Sequence, residues 1–380
     1  MHFVELTAES IAQTMQDWGP VAGRAGIVAL VPEAEREKLP LLQAAAAQHG
    51  IALVGAIFPA LIRGAAFVTR GACLLCFDSM PPYFLLPAIN AGQEPAATQV
   101  VAAVRRALAD AAPDAARPTL FMFFDSMVPN IASILDDIYL ALANRVEYAG
   151  VNAGSETFQP MPCLFDAERV VGDGLLGLLL PSAMVPLLEH GFARAEFLMG
   201  ATATEGNRIA SIDWRPAFEV YQEIIKAQFG IDLTRENFYQ YGVHYPFGIL
   251  RANGDVVVRI PVALEADGSV YCVGEIPENA MLVLLQAPEA GGNGCIGRLA
   301  TNLQGTHGSL AGRPLLAFYC AGRRMHLGDA APDELAGLVQ ETGTTSLGGA
   351  VSLGEIGNTA RWGYPMFHNA TLVCAPWSPP

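Results

Sequence analysis

The chain has 380 residues, a formal net charge of −15, and 52% hydrophobic against 16% charged residues. That length and apolar share fit a compact protein with a large core and room for two or three domains, and exclude a disordered chain. The acidic balance, with Lys38 and Lys226 the two lysines among 22 basic residues, argues against nucleic acid and anionic membranes as main partners.

The most apolar stretch, 174–188, is short and broken by Pro181 and Pro186, so no segment is expected to span a membrane. The N-terminus has no basic start ahead of an apolar run and does not read as a signal peptide. Seven cysteines lie singly in apolar segments, which suits reduced thiols and a cytoplasmic location.

In chain order, Thr7 is placed to cap a helix over 7–18. Strands at 26–31 and 51–58 flank a helix over 33–49 and read as a parallel strand–helix–strand. One longer strand is expected over 65–77. It contains Cys73 and Cys76, which read as two buried thiols because no second pair completes a metal site. A helix over 95–112, a strand at 120–124, a helix over 129–144 and a Gly-rich strand at 146–154 follow. Segments 158–165 and 172–180 are expected to pair as a hairpin, as are 192–203 and 207–212 about Glu205-Gly206. A helix over 217–229 opens the second part. Beyond it, 255–262 and 269–273 alternate around Asp267-Gly268, a hairpin signal. The Gly-rich run 291–297 leads into a helix towards 303, and strands follow at 315–319, before 355 and at 370–375, with a helix near 333–340.

The series from 120 to 154 and the series from 315 to 354 match in order and spacing, though little in identity. The expected fold is therefore α+β, with two duplicated halves, each a mixed sheet packed by helices, divided as 1–220 and 221–380.

No Gly-x-Ser-x-Gly elbow, phosphate loop with Lys-Ser/Thr, or metalloprotease His pair occurs. The chemistry-bearing groups are instead lone polar residues at the ends of apolar strands: Arg259, Arg323, Glu355 and His368. Each would cost free energy unless paired or bound to a ligand. Arg suits a carboxylate in two-pronged geometry, yet either Arg could equally pair with a neighbour such as Glu355 or Glu275. His244 and His368 sit beside strands and aromatics, where a lone His is commonly a hydrogen-bonded core residue.

Taken in order, Tyr245-Pro246-Phe247-Gly248, Val258-Arg259-Ile260-Pro261, Asp267-Gly268-Ser269, Cys320-Ala321-Gly322-Arg323, Gly354-Glu355-Ile356 and Phe367-His368-Asn369-Ala370-Thr371 resemble the FIST domain (F-box and intracellular signal transduction proteins). The resemblance covers nearly the whole chain, in an N-terminal and a C-terminal part. Tyr319 departs from an expected small residue and Ala370 interrupts the familiar ending, changes that could reshape a pocket. The resemblance implies a cytoplasmic sensory module that binds a small ligand, an amino acid or haem b with nitric-oxide sensing. Arg259, Arg323, Glu355, His368, Asn369 and Tyr245 are the expected ligand-binding residues, in a cleft between the halves. Haem would be non-covalent, with His244 the first choice of axial ligand and His326 and His307 behind it. The chain carries no kinase, cyclase or DNA-binding segment, so output would pass to a histidine kinase or a cyclic-di-nucleotide enzyme; a homodimer is a further expectation. The alternative is a hydrolase or lyase acting on a carboxylated metabolite, with Glu355 and His368 as acid–base groups.

Overall fold

The computed structural model describes residues 1–109, 117–180, 185–252, 254–288, 294–358 and 364–377. The fold is α+β. Its organising feature is one chain path followed three times, each pass supplying a strand, a helix, a strand, a second helical stretch, a parallel strand, a hairpin and a returning strand.

The first pass runs β1 (His2–Val4), α1 (Ala8–Trp18), β2 (Gly26–Pro32), α2 (Leu39–His49), β3 (Ala52–Phe58), the hairpin β4 (Leu61–Arg63) and β5 (Ala66–Val68), and β6 (Ala72–Phe77). The second runs β7 (Tyr83–Leu86), α3 (Ala96–Leu108), β8 (Thr119–Asp125), α4 (Ile131–Leu142), β9 (Glu147–Ala153), the hairpin β10 (Leu164–Asp166) and β11 (Val170–Val171), and β12 (Leu175–Leu180). The third opens with β13 (Leu187–Glu189) and is then interrupted by an insertion. That insertion comprises β14 (Ala193–Glu205), β15 (Arg208–Ile212), β16 (Arg215–Pro216), α5 (Ala217–Phe229), α6 (Phe238–Gly242), β17 (Phe247–Leu250), β18 (Val256–Arg259), β19 (Pro261–Leu264), β20 (Val270–Cys272) and β21 (Met281–Gln286). The third pass resumes with α7 (Gly294–His307), β22 (Leu315–Cys320), α8 (Ala321–Leu327), α9 (Ala331–Thr342), β23 (Leu347–Ser352), the hairpin β24 (Glu355–Gly357) and β25 (Met366–His368), and β26 (Leu372–Pro376).

Each pass builds a six-stranded sheet on a parallel pair: β2 with β3, β8 with β9, β22 with β23. The returning strand lies antiparallel beside the first member of each pair. The hairpins are exchanged. β4–β5 joins the third sheet on β23, β10–β11 joins the first on β3, and β24–β25 joins the second on β9. The inner faces meet at Phe58, Phe123 and Phe318, one from each pass, with ring centroids 5.9 to 6.2 Å apart. Helices cover the outer faces, α3 and α4 over the second sheet and α7 and α9 over the third. The insertion folds as its own eight-stranded sheet with α5 against it.

The repeat read between 120–154 and 315–354 is thus present in the topology, and a third copy begins at Gly26. Its sequence trace is one glycine per copy. Gly55, Gly150 and Gly349 sit in the second parallel strand opposite Ala29, Met122 and Ala317. A Cβ on any of them would lie 2.0, 2.3 or 1.7 Å from the partner's carbonyl oxygen, so the close approach of the pair requires glycine.

Local expectations fare unevenly. Thr7 caps α1, its hydroxyl accepting from the Ser10 N–H at 3.2 Å, and α5 spans Ala217–Phe229 as read. The single strand over 65–77 is instead β5 and β6, broken at Gly71 with φ of +81°. Segments 158–165 and 172–180 do not pair. β10 turns back on β11, and β12 belongs to a different sheet beside β8. The strand over 255–262 splits at Ile260 into β18 and β19, which run in different parts of the insertion. The Gly-rich run 291–297 and the end of the helix over 95–112 lie partly outside the described residues. A division at residue 220 falls within α5, with β14 and β15 on one side and their partners β21 and β20 on the other.

Candidate functional site

Parallel strands present their carboxyl ends, with the turns that follow them, on one edge of a sheet, and ligands of α/β sheets bind outside such edges. In the third sheet β22 ends at Cys320 and β23 at Ser352, and Glu355 opens the hairpin directly after. Glu355 is fully buried. Its carboxylate accepts hydrogen bonds from the Ser352 hydroxyl at 2.6 Å, the Thr371 hydroxyl at 2.7 Å and the Thr371 N–H at 3.3 Å. Burial outweighs these donors and the Cys320 thiol beside them, and lifts its pKa to about 7.

The repeat shows what is unusual here. The first residue of each hairpin pairs, in the strand the hairpin joins, with the residue one position past that strand's close-approach glycine (Leu61 with Ala350, Leu164 with Ala56, Glu355 with Val151), and it also pairs with a residue of the hairpin's second strand. Within the hairpins the pairs are Leu61 with Val68, Leu164 with Val171, and Glu355 with His368. Two copies use an aliphatic pair where the third has a carboxyl and an imidazole. His368 is also buried, both ring nitrogens lack a hydrogen-bond partner among the described residues, and burial holds it neutral.

Above this corner lies a cavity of about 470 Å³. Phe158, Ile260, Val262, Val273, Met325 and Leu353 make it apolar, while Cys320, Asn369, Arg324 and Asp329 supply polar atoms. It is bounded by the second pass through Glu156 and Phe158, by the third, and by the insertion, so it lies where the N-terminal and C-terminal parts meet. The Asn369 amide donates to the His368 carbonyl at 3.1 Å, but its buried Oδ1 has no partner among the described residues. Asn152, in β9, likewise has a buried, unpartnered Oδ1. Arg324 at the rim stands 3.8 Å from Glu156 and 5.5 Å from the Phe67 ring centre.

The other expected residues are placed elsewhere. Arg323 is buried in α8 and its guanidinium is fully used. It meets both oxygens of Glu334 at 2.7 and 2.6 Å, and donates to the carbonyls of His190 and Ala370. Tyr319 donates to the same Glu334 at 2.6 Å, which explains why this position holds a phenol and not a small side chain. Glu334 was missed because its partner lies a helix away in sequence. Arg259 lines a separate cavity. The Tyr245 ring lies against Phe229 at 4.3 Å and its carbonyl accepts from the Tyr221 hydroxyl.

His244 and His326 come together, Nδ1 against Nδ1, beside a shallow cavity of about 320 Å³. His326 Nε2 also contacts the Pro288 carbonyl at 2.8 Å, and His307 contacts the Val185 carbonyl at 2.8 Å. His244 turns its Nδ1 to His326, which leaves Nε2 as the nitrogen able to meet a ligand, and among the described residues no Arg or Lys lines this cavity. No group of three or more His, Cys, Asp or Glu among the described residues could hold a metal ion. All seven cysteines are free and buried. No helix among the described residues is long and apolar enough to cross a membrane.

Fold and cavity together define an α+β protein with a small-molecule-sized pocket at a strand-end corner of a threefold repeat. The chain belongs to the FIST family, matching the FIST N domain over residues 25–215 and the FIST C domain over 217–358. FIST domains are linked to sensing in signal transduction and are generally sensory, not catalytic. The chain is also similar to an uncharacterised protein of Methanocaldococcus jannaschii, 26% identical over 178 residues. That match covers 44% of this chain and 34% of the archaeal protein.

Proposed function

We propose that this protein is a sensory component of signal transduction whose cavity above Glu355 binds a small amphipathic molecule bearing an amine, with an amino acid the simplest case. The observation that carries this reading is the break in the repeat. A Glu–His pair replaces a Leu–Val pair in the one copy whose strand ends back this cavity. Buried polar groups without partners cost stability, so a fold retains them where a ligand can satisfy them. The unpartnered Asn369 Oδ1 suits an ammonium donor, Arg324 suits a carboxylate at the rim, and the apolar wall suits a side chain. The signal would then pass to a separate protein, a histidine kinase or a cyclic-di-nucleotide enzyme.

The test is a thermal-shift screen of the twenty amino acids, since a ligand that binds the native state raises the melting temperature. A hit should disappear in Asn369→Leu. No hit, or one untouched by Asn369→Leu, would refute this placement of the site. A visible absorption spectrum after haem titration should show no new Soret band.

One observation favours an enzyme as second reading. A carboxyl held near pKa 7 is suited to general acid–base work at neutral pH. Turnover of a carboxylated substrate, abolished in Glu355→Gln, would establish it.

A further inference from the structure

The insertion and the second pass enclose another cavity, of about 420 Å³, between β17, β18, the loop 275–278 and the start of α4. Arg259 forms part of its wall and is 3% exposed. Its Nε donates to the Glu275 carbonyl at 2.8 Å, and its Nη1 donates to the carbonyls of Val258 at 3.0 Å and Phe367 at 2.8 Å. Among the described residues no hydrogen bond engages Nη2, and no carboxylate forms an ion pair with this guanidinium. Burial pushes its pKa down to about 10. The guanidinium is held by these carbonyls and by the face of the Phe367 ring, 5.7 Å from Cζ, with no carboxylate in contact, a costly arrangement for a buried charge. Contrast Arg323, equally buried, which has Glu334.

Glu275, whose carbonyl meets Arg259, commits its carboxylate elsewhere. Glu275 turns its side chain to α4, accepting from the Ser133 N–H at 3.1 Å and the Ser133 hydroxyl at 2.5 Å. Its backbone carbonyl makes the hydrogen bond to Arg259, and its charge reaches the guanidinium only through space. Arg251 adds a second cation to the cavity, and Ile249, Val257, Met366 and Phe367 give it apolar wall.

We propose that this cavity is a second ligand site, distinct from the one above Glu355, and that it takes the carboxylate of a small amphipathic monoanion. Nη2 of Arg259 donates to the carboxylate, Arg251 adds attraction, and the carbon chain lies along Ile249, Val257 and Met366. A doubly charged phosphate is disfavoured, because Asp136, Glu275 and Glu278 line the same cavity and repel the second negative charge. The site bridges the N-terminal part, through α4, and the insertion.

Butyrate is the probe, with inorganic phosphate as the contrasting anion and saturation-transfer NMR on the full chain as readout. Butyrate should bind, and Arg259→Met should weaken binding by at least tenfold. Arg251→Met, at a partly exposed position where folding is not at stake, should weaken it severalfold. Asn369→Leu, which alters the other cavity, should leave butyrate binding unchanged. The proposal is overturned if butyrate does not bind, if phosphate binds more tightly, or if Asn369→Leu abolishes binding while Arg251→Met does not.

Discussion

Glu355 carries a pH signature whose sign follows from its burial. Its pKa is raised in the folded protein to about 7, against an ordinary value of 4.5. The native state therefore holds the proton more tightly than the unfolded chain, and stability falls as pH rises between the two values. Relative to Glu355→Gln, the wild type should lose up to about 3 kcal/mol between about pH 5 and pH 8. Parallel pH-dependent urea melts of the two proteins check this; identical slopes would show that Glu355 is not titrating there. Arg323 makes the opposite prediction. Removing one partner of its buried pair leaves the other charge uncompensated, so Glu334→Gln should cost about 3–5 kcal/mol in chemical denaturation. Arg323→Lys should not restore the lost geometry, because Lys cannot meet both oxygens of Glu334 and two carbonyls from one planar group.

At the scale of the elements, each parallel pair hangs on its close-approach glycine. Gly349→Ala places a methyl 1.7 Å from the Ala317 oxygen, and should cost at least about 3 kcal/mol by urea denaturation. Gly297→Ala in α7 meets nothing within 4 Å and should stabilise by about 0.5–1 kcal/mol, which makes it the matched control. Much of this level was readable from sequence. Periodicity located α5, capping located α1, and apolar runs located β2, β3, β8 and β22. Partner choice was not readable. β10 and β12 are separated in sequence by only the short β11, and nothing local says that one joins the first sheet and the other the second. The third copy was hidden for the same reason, since its copies share a glycine and a chain path but almost no side chains. Glu355 and His368 stood out because a charge at the end of an apolar strand is costly. Their significance rests on the aliphatic pairs at the matching positions, which only the register reveals.

At the scale of the molecule, the exchanged hairpins tie the parts of the chain together. A fragment of residues 1–215 leaves β4 without β23, β9 without β24, and Phe58 and Phe123 without Phe318. We expect it to be insoluble or to bind a hydrophobic dye as a loosely packed state, and expect co-expression with 216–380 to restore a cooperative melt. A soluble, sharply melting fragment would show that the exchange is dispensable. The exchange also sets a schedule for synthesis. The hairpin at 61–68 leaves the ribosome roughly 280 residues before the strand that receives it, or roughly 15–60 s earlier at ordinary rates of translation. Throughout that interval the inner faces of the first two sheets lack their third wall, and are open to chaperones and to other nascent chains. Closure waits for the strands of the third pass, the last of the three to be made.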